Sequence, residues 1–426
     1  MLRRFIDTHV VVLVVAFVAL SGAGALAAIY SRGYSHGDPP IRSDAVGYYI
    51  YLPAAFLDHD PSLVRTVHRS FGGDLQKAGD LRRVEHGYLG PHQIGEAMLL
   101  APFFAAGHVT AIASGARRDG LSRPYQSWAA AAGLLYGVAG LALLGLFLRR
   151  WFDCRVVGAT LLALTFGTNL FHYLTYDAVY SHAFSFAATA FILWSTVRLT
   201  ERATATRALL LGLGVGLLAT IRPTNLVIAL FPLLVGIRRR GLVAQPWLLA
   251  AGALGFIAPV LPQLLYWHHL TGHFIVNAYG SNPKLELTHP HLLAVAFSVR
   301  KGLFFWTPLL ALAVAGLPLL RSRAPAVALA TPVTLAVNFW VVASWSQWWY
   351  GGSFGQRALV ESLPLVALGL AALFDWARTS RALAPVAFAV VLTSCLALHA
   401  MAEYWLGNIP SDGTTWQIYL HSFTKL

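Results

Sequence analysis

Charged side chains are few in this sequence: Asp, Glu, Lys and Arg make up 12% of 426 residues, about half the share of a soluble domain. That deficit excludes a chain folding with water as its main solvent. Acids are scarcer than bases, 18 against 31, giving a formal net charge of +13. In a soluble protein such a surplus points to nucleic acid. Here the arginines gather between apolar runs, which is the positive-inside pattern of a membrane protein, so no nucleic-acid partner is expected. The two cysteines, Cys154 in an Arg-rich loop and Cys395 in an apolar run, exclude a disulfide framework and a CxxC site. No internal repeat, heptad or low-complexity tract appears.

What is abundant is apolar. Hydrophobic residues are 57% of the chain and the mean hydropathy is +0.60. Runs near 20 residues, each able to cross a hydrocarbon core of about 30 Å, recur almost to the end. The expectation is an all-α polytopic protein in which residues 1–426 form a single integral membrane domain. Lys and Arg in the short loops orient it: Arg3/Arg4, Arg149/Arg150/Arg155, Arg198/Arg202/Arg207, Arg238 to Arg240, Arg321/Arg323 and Arg378/Arg381 all fall on one, cytoplasmic, side. The spans then lie near 9–30, 125–148, 156–175, 181–199, 208–221, 224–237, 246–266, 302–320, 325–344, 358–376 and 383–401. That makes about eleven transmembrane helices, with the N-terminus cytoplasmic and the C-terminus periplasmic, in the inner membrane. The first run is read as an uncleaved signal anchor, although Arg3, Arg4 and Ala25-Leu26-Ala27 also resemble a cleavable signal peptide.

Two stretches resist simple spanning. Ile94 to Ala113 is apolar enough to cross, but crossing would strand one basic cluster outside; an interfacial or re-entrant helix on the outer face is expected instead. Ala208 to Ile237 holds Arg222-Pro223 near its middle. A hairpin keeps Arg207 and Arg238 on one side, and its arms, roughly 21 Å each, leave Arg222 short of the outer surface. Arg222 is then either the floor of an outward-open cavity or a cation that snorkels or pairs with a carbonyl. The outer side carries a first long loop, 31–123, with interfacial helices, a turn at Tyr176 to Ser181, a loop from Trp267 to Lys301, the segment Trp345 to Arg357 and a short tail, 402–426.

The chemistry-bearing residues fall there. Asp44 stands just beyond the first span, ahead of a Tyr-rich segment with Tyr48, Leu52 and Phe56 at helical spacing. It is either a carboxylate poised to take a proton from a substrate hydroxyl or, with Ser43, a helix cap. Asp58-His59-Asp60 is a DxD triplet read as a loop or cap feature, since no nucleotide-binding domain accompanies it. Glu85 and His86 lie nearest the re-entrant segment, and Asp177 and His182 sit where a short turn crosses the cavity mouth. Phosphate recognition needs cations, and Arg300, Lys301 and Arg357 stand at the mouths of spans above Arg222. Trp349 and Tyr350, beside Gly351, Gly352 and Gly355, suit a sugar face as well as an interfacial aromatic belt. No His spacing marks a metal site; a divalent metal is left open and no cofactor is expected.

Taken in order, SDAVGYYIYLP, YLGPHQIGEAMLLAPFF, YSHAFSF, GLLATIRPTN and WWYGGSFGQR resemble the bacterial GT-C superfamily members related to the protein O-mannosyltransferase and aminoarabinose-transferase group, the glycosyltransferase family 39-like enzymes. The resemblance implies a GT-C-like fold. It also implies transfer of a sugar from a polyprenyl-phosphate donor to a glycan, lipid or protein acceptor on the periplasmic side. It makes Asp44 the catalytic base and Arg300, Lys301 and Arg357 counterparts of the lipid-phosphate cations. The short tail leaves acceptor recognition to the membrane loops. A lipid-linked glycan polymerase or ligase is the neighbouring alternative. A transporter is the distant one, favoured by the Arg222 break and disfavoured by the missing repeat symmetry.

Overall fold

The computed structural model describes residues 2–36, 39–238, 245–280 and 284–424, of which 2–8 and 32–36 by their backbone. Arg239 and Arg240, and the side chains of Arg3, Arg4 and His36, lie outside the described residues. Helix dominates, and strand among the described residues is one antiparallel hairpin, Arg82–Val84 with Gly87–Leu89. Among the described residues, seven helices are long and apolar enough to cross a membrane: His9–Ser31, Gly95–Ser114, Arg123–Leu148, Ser181–Glu201, Pro246–Thr271, Arg357–Thr379 and Leu383–Trp405. The chain is an all-α protein of membrane type.

The helices differ in what surrounds them. Arg357–Thr379 is buried nearly all round and forms the centre of the bundle, whereas Leu383–Trp405 turns most of its apolar surface outward. An apolar helix with so little protein around it needs lipid as its solvent. Two expected spans are interrupted. The 156–175 segment breaks at Gly167 between Cys154–Phe166 and Leu170–Thr175. The 302–320 segment breaks at Thr307-Pro308 between Leu303–Trp306 and Leu309–Gly316, because proline supplies no N–H to carry the ladder through.

The closest helix pair sets the depth of everything around Arg222. Ala205–Ile221 runs parallel to Pro246–Thr271, and a Cβ on Gly212 would sit 1.9 Å from the Gly252 carbonyl, one on Gly216 2.3 Å from that of Phe256. Only glycine permits such an approach. The first helix is nine residues shorter, so it stops below the end of its neighbour. Arg222 follows in extended conformation (φ −149°), a 3₁₀ segment Pro223–Ala229 turns the chain, and Leu230–Arg238 returns to the end from which Ala205–Ile221 set out.

Gly95–Ala113 begins at that same depth. A Cβ on Gly95 would meet the Thr220 and Ile221 backbone at 2.4–2.6 Å, and the Ile94 N–H donates to Gln263 Oε1 at 2.8 Å. Gln263 lies seven residues, about 10 Å, before Leu270, whose carbonyl takes the His86 N–H at the end of its helix. From this shallow depth the helix climbs antiparallel to the first half of Arg123–Leu148: Tyr136 Oη donates to the Leu99 carbonyl, and His108 Nδ1 meets Tyr125 Oη at 2.6 Å. Its far end returns to the Asp44 side, where Tyr49 Oη donates to the Gly120 carbonyl at 2.9 Å.

Candidate functional site

Asp44 opens a six-residue helix, Asp44–Tyr49, after Ser43, which adopts φ 49°, ψ −129°. Few non-glycine residues occupy that region, and holding one there costs on the order of 1–3 kcal/mol. Ser43 forms no side-chain cap bond, so the capping expectation fails for it. The Asp44 carboxylate instead reaches the Arg357 guanidinium, with Oδ2 to Nη1 2.8 Å, across 313 residues of sequence. Its side chain is 29% exposed although protein surrounds it, so it lines a recess and not an open surface. Burial would lift its pKa, but Arg357, then His92, Arg222 and His182, outweigh burial and hold it below the usual aspartate range. The carboxylate is therefore ionised. Arg357 is spent on it only in part: its Nε is buried and has no partner among the described residues.

A second charged group lies beside the first. Arg222 Nη1 stands 3.2 Å from Glu361 Oε1, and His182 Nδ1 3.1 Å from the same oxygen. Asn225 Nδ2 donates to Ser185 Oγ at 3.3 Å and lies 3.5 Å from Glu361 Oε1. Glu361 Oε2 has no partner among the described residues. The Arg222 guanidinium also lies 6.0 Å from the Tyr350 ring, and Tyr350 is itself in the left-handed region at φ 56°.

On the other flank Arg42 Nη2 meets Asp177 Oδ1 at 2.6 Å, while His172 Nε2 lies 2.9 Å from Oδ2. Trp405 Nε1, which can only donate, reaches His172 Nδ1 at 2.9 Å. That fixes the tautomer: Nδ1 accepts, and Nε2 carries the hydrogen given to Asp177. Burial would raise Asp177, but Arg42 and His172 bring it down to about 2. Asp177 thus holds the Tyr176 to Ser181 turn against the first loop and does not pair with Asp44.

The remaining expected residues divide. Arg300 grips Asp412 through two nitrogens at 2.8 and 3.0 Å and stacks 3.9 Å over the Trp349 ring. Lys301, expected at a cavity mouth, is fully buried. Its ammonium donates to the Ser353 and Ser411 carbonyls, and burial pushes its pKa down to about 7. It is a strut under the loop that leads to Arg357. In that loop Gly351 and Gly355 have φ of 69° and 61°, so the turn itself requires them. Glu85 and His86 form the exposed tip of the β-hairpin and are not brought to Asp44. The DxD triplet is local: Asp58 pairs with Arg69, and Asp60 accepts from Ser62 and Arg65 N–H groups. No three His, Cys, Asp or Glu side chains converge as a metal-holding group among the described residues.

Several residues at the recess were not singled out from sequence. His92 packs edge-on to Tyr48 at 4.3 Å, with Gly47 leaving room for it, and its Nδ1 has no partner among the described residues. Glu96 is fully buried with both oxygens unpartnered among the described residues. Glu361 had a signal: an acid inside an apolar run must pair, and Arg222 was a cation at depth without an assigned acid. Together these groups offer an ionised carboxylate, a guanidinium N–H without a partner among the described residues, and aromatic walls. No family model, curated protein or solved structure matches the chain.

Proposed function

We propose that this chain is a glycosyltransferase of the GT-C kind, with about eleven spans in the inner membrane, moving a sugar from a polyprenyl-phosphate donor to a periplasmic acceptor. The observation that carries the reading is the Asp44–Arg357 pair: an ionised base in contact with a guanidinium that keeps a buried N–H unpartnered. A donor phosphate competes for Arg357, and its arrival frees Asp44 from the charge that depresses its pKa. Asp44 then takes the proton of the acceptor hydroxyl as that oxygen bonds to the anomeric carbon. The bond from that carbon to the phosphate oxygen breaks, and polyprenyl phosphate leaves with its charge on Arg357. One displacement inverts the anomeric centre. Arg222, with Glu361 and His182, supports the inner wall.

A transporter is the second reading, because a helix broken at a buried Arg–Glu pair also suits a gated path. One experiment separates them. Purified protein is incubated with polyprenyl-phosphate sugar and envelope acceptors, and transfer is followed by mass spectrometry. Asp44→Asn should lower the rate by about 10²-fold or more, as loss of a general base does. Unchanged transfer by this variant would remove Asp44 from the chemistry, and substrate uptake with every glycan intact would favour the transporter.

A further inference from the structure

At the end of the bundle opposite Asp44, two cavities adjoin. One, of about 360 Å³, is lined by Arg150, Arg238, Trp151 and Val235 among others; the second, of about 340 Å³, by Arg149, Arg150, Arg198, Trp194 and Glu201 among others. Arg150 and Val197 belong to both. We propose that this paired cavity binds the phosphate headgroup of an anionic glycerophospholipid from the leaflet at that end.

Four arginines line it against one glutamate. The negative ends of Arg123–Leu148, Ser181–Glu201 and Leu230–Arg238 also point here, each equivalent to about half a charge, and the arginines exceed these and Glu201 together. Arg150 and Arg198 meet Glu201 through one nitrogen each, at 2.8 and 2.9 Å, and remain 52% and 46% exposed. A guanidinium has five N–H groups, so both keep donors for a further acceptor. Nor is Arg198 needed to cap its helix: Arg207 Nη1 donates to the Arg198 and Arg202 carbonyls. The other walls, Val197, Val235, Leu146 and Phe147, are apolar, and Leu146 is 55% exposed. Trp151 and Trp194 are of the kind that sits at headgroup level. A basic pocket between helices with a greasy outer wall fits a lipid phosphate better than a soluble anion.

The test uses full-length protein, delipidated in neutral detergent, then offered phosphatidylglycerol or phosphatidylcholine and examined by native mass spectrometry and thermal unfolding. Phosphatidylglycerol should be retained several-fold over phosphatidylcholine and raise the unfolding temperature, and Arg149→Gln/Arg150→Gln should abolish the preference. Because Arg150 also pairs with Glu201, Arg238→Gln provides a second variant that leaves that pair intact and should weaken retention several-fold. Equal retention of the two lipids, or a folded double variant that keeps the preference, overturns the proposal. Inorganic phosphate at millimolar concentration that reproduces the stabilisation and displaces the lipid also overturns it, in favour of a soluble-anion site.

Discussion

Glu361 is fully buried, and one of its oxygens is shared by Arg222 and His182. Removing its charge leaves a guanidinium, 15% exposed, without its counter-ion, and breaking a buried pair costs about 3–5 kcal/mol. Glu361→Gln should therefore lower the unfolding temperature markedly, while Arg222→Gln/Glu361→Gln should recover part of the loss. A double-mutant cycle of thermal unfolding in detergent measures the coupling; purely additive losses would show that the two charges do not stabilise each other. His92 acts through pH. Burial, with Arg222 and Arg357 facing it and Asp44 opposing them, lowers its pKa to about 4. The unfolded chain takes up this proton near pH 6.5, the folded one only near 4, so stability present above 6.5 falls as pH drops through that window. The full gap is worth on the order of 3 kcal/mol. His92→Asn should flatten the decline between pH 6.5 and 4; an unchanged slope would assign it to other groups.

Elements are placed here by close backbone approach more than by side-chain size. A Cβ on Gly212 would stand 1.9 Å from the Gly252 carbonyl, and one on Gly255 2.0 Å from that of Leu209, so neither contact relaxes by a rotamer change. Gly212→Ala must push the two helices apart and should destabilise by about 1–3 kcal/mol. It should also disturb Arg222, which caps the shorter of the two. Gly24 is the control: it is helical, and a Cβ there meets nothing within 4 Å. Gly24→Ala should be neutral or stabilising by up to about 1 kcal/mol, since alanine is the better helix former. Thermal unfolding of the two variants side by side checks the pair of signs; equal losses would mean the close approach does not hold the helices. The loop before Arg357 is held differently, by Lys301 under the Ser353 and Ser411 carbonyls and by Ser353 N–H to the Ser411 carbonyl at 3.0 Å.

For the whole molecule, helical class and the Arg222 break were legible in sequence, because apolar run length and Arg-Pro placement are local signals. Asp44 was legible as an acid beyond the first run, but its partner was not: pairing with Arg357 depends on how helices 313 residues apart pack. Lys301 misled for the same reason, since its position in sequence says nothing of the two carbonyls that surround it. The Gly95–Ala113 segment is where sequence and structure meet most usefully. Hydropathy alone makes it a span, yet its first turn abuts Ile221, about 10 Å below the end of the neighbouring helix, and its last turn leads to Gly120, bonded to Tyr49. Residues 60 and 120 therefore emerge at one end of the bundle. Arg150, Arg198 and Arg238 gather at the other, as the two cavities that share Arg150 require. Reporter fusions translate this into an expected pattern: after residues 60 and 120 a periplasmic signal, after residues 152, 203 and 380 a cytoplasmic one. A cytoplasmic signal after 120 would make Gly95–Ala113 a true span and put Gly120 across the membrane from Asp44, against the Tyr49 contact. The fusion at 120 thus tests the arrangement on which the Asp44 recess depends.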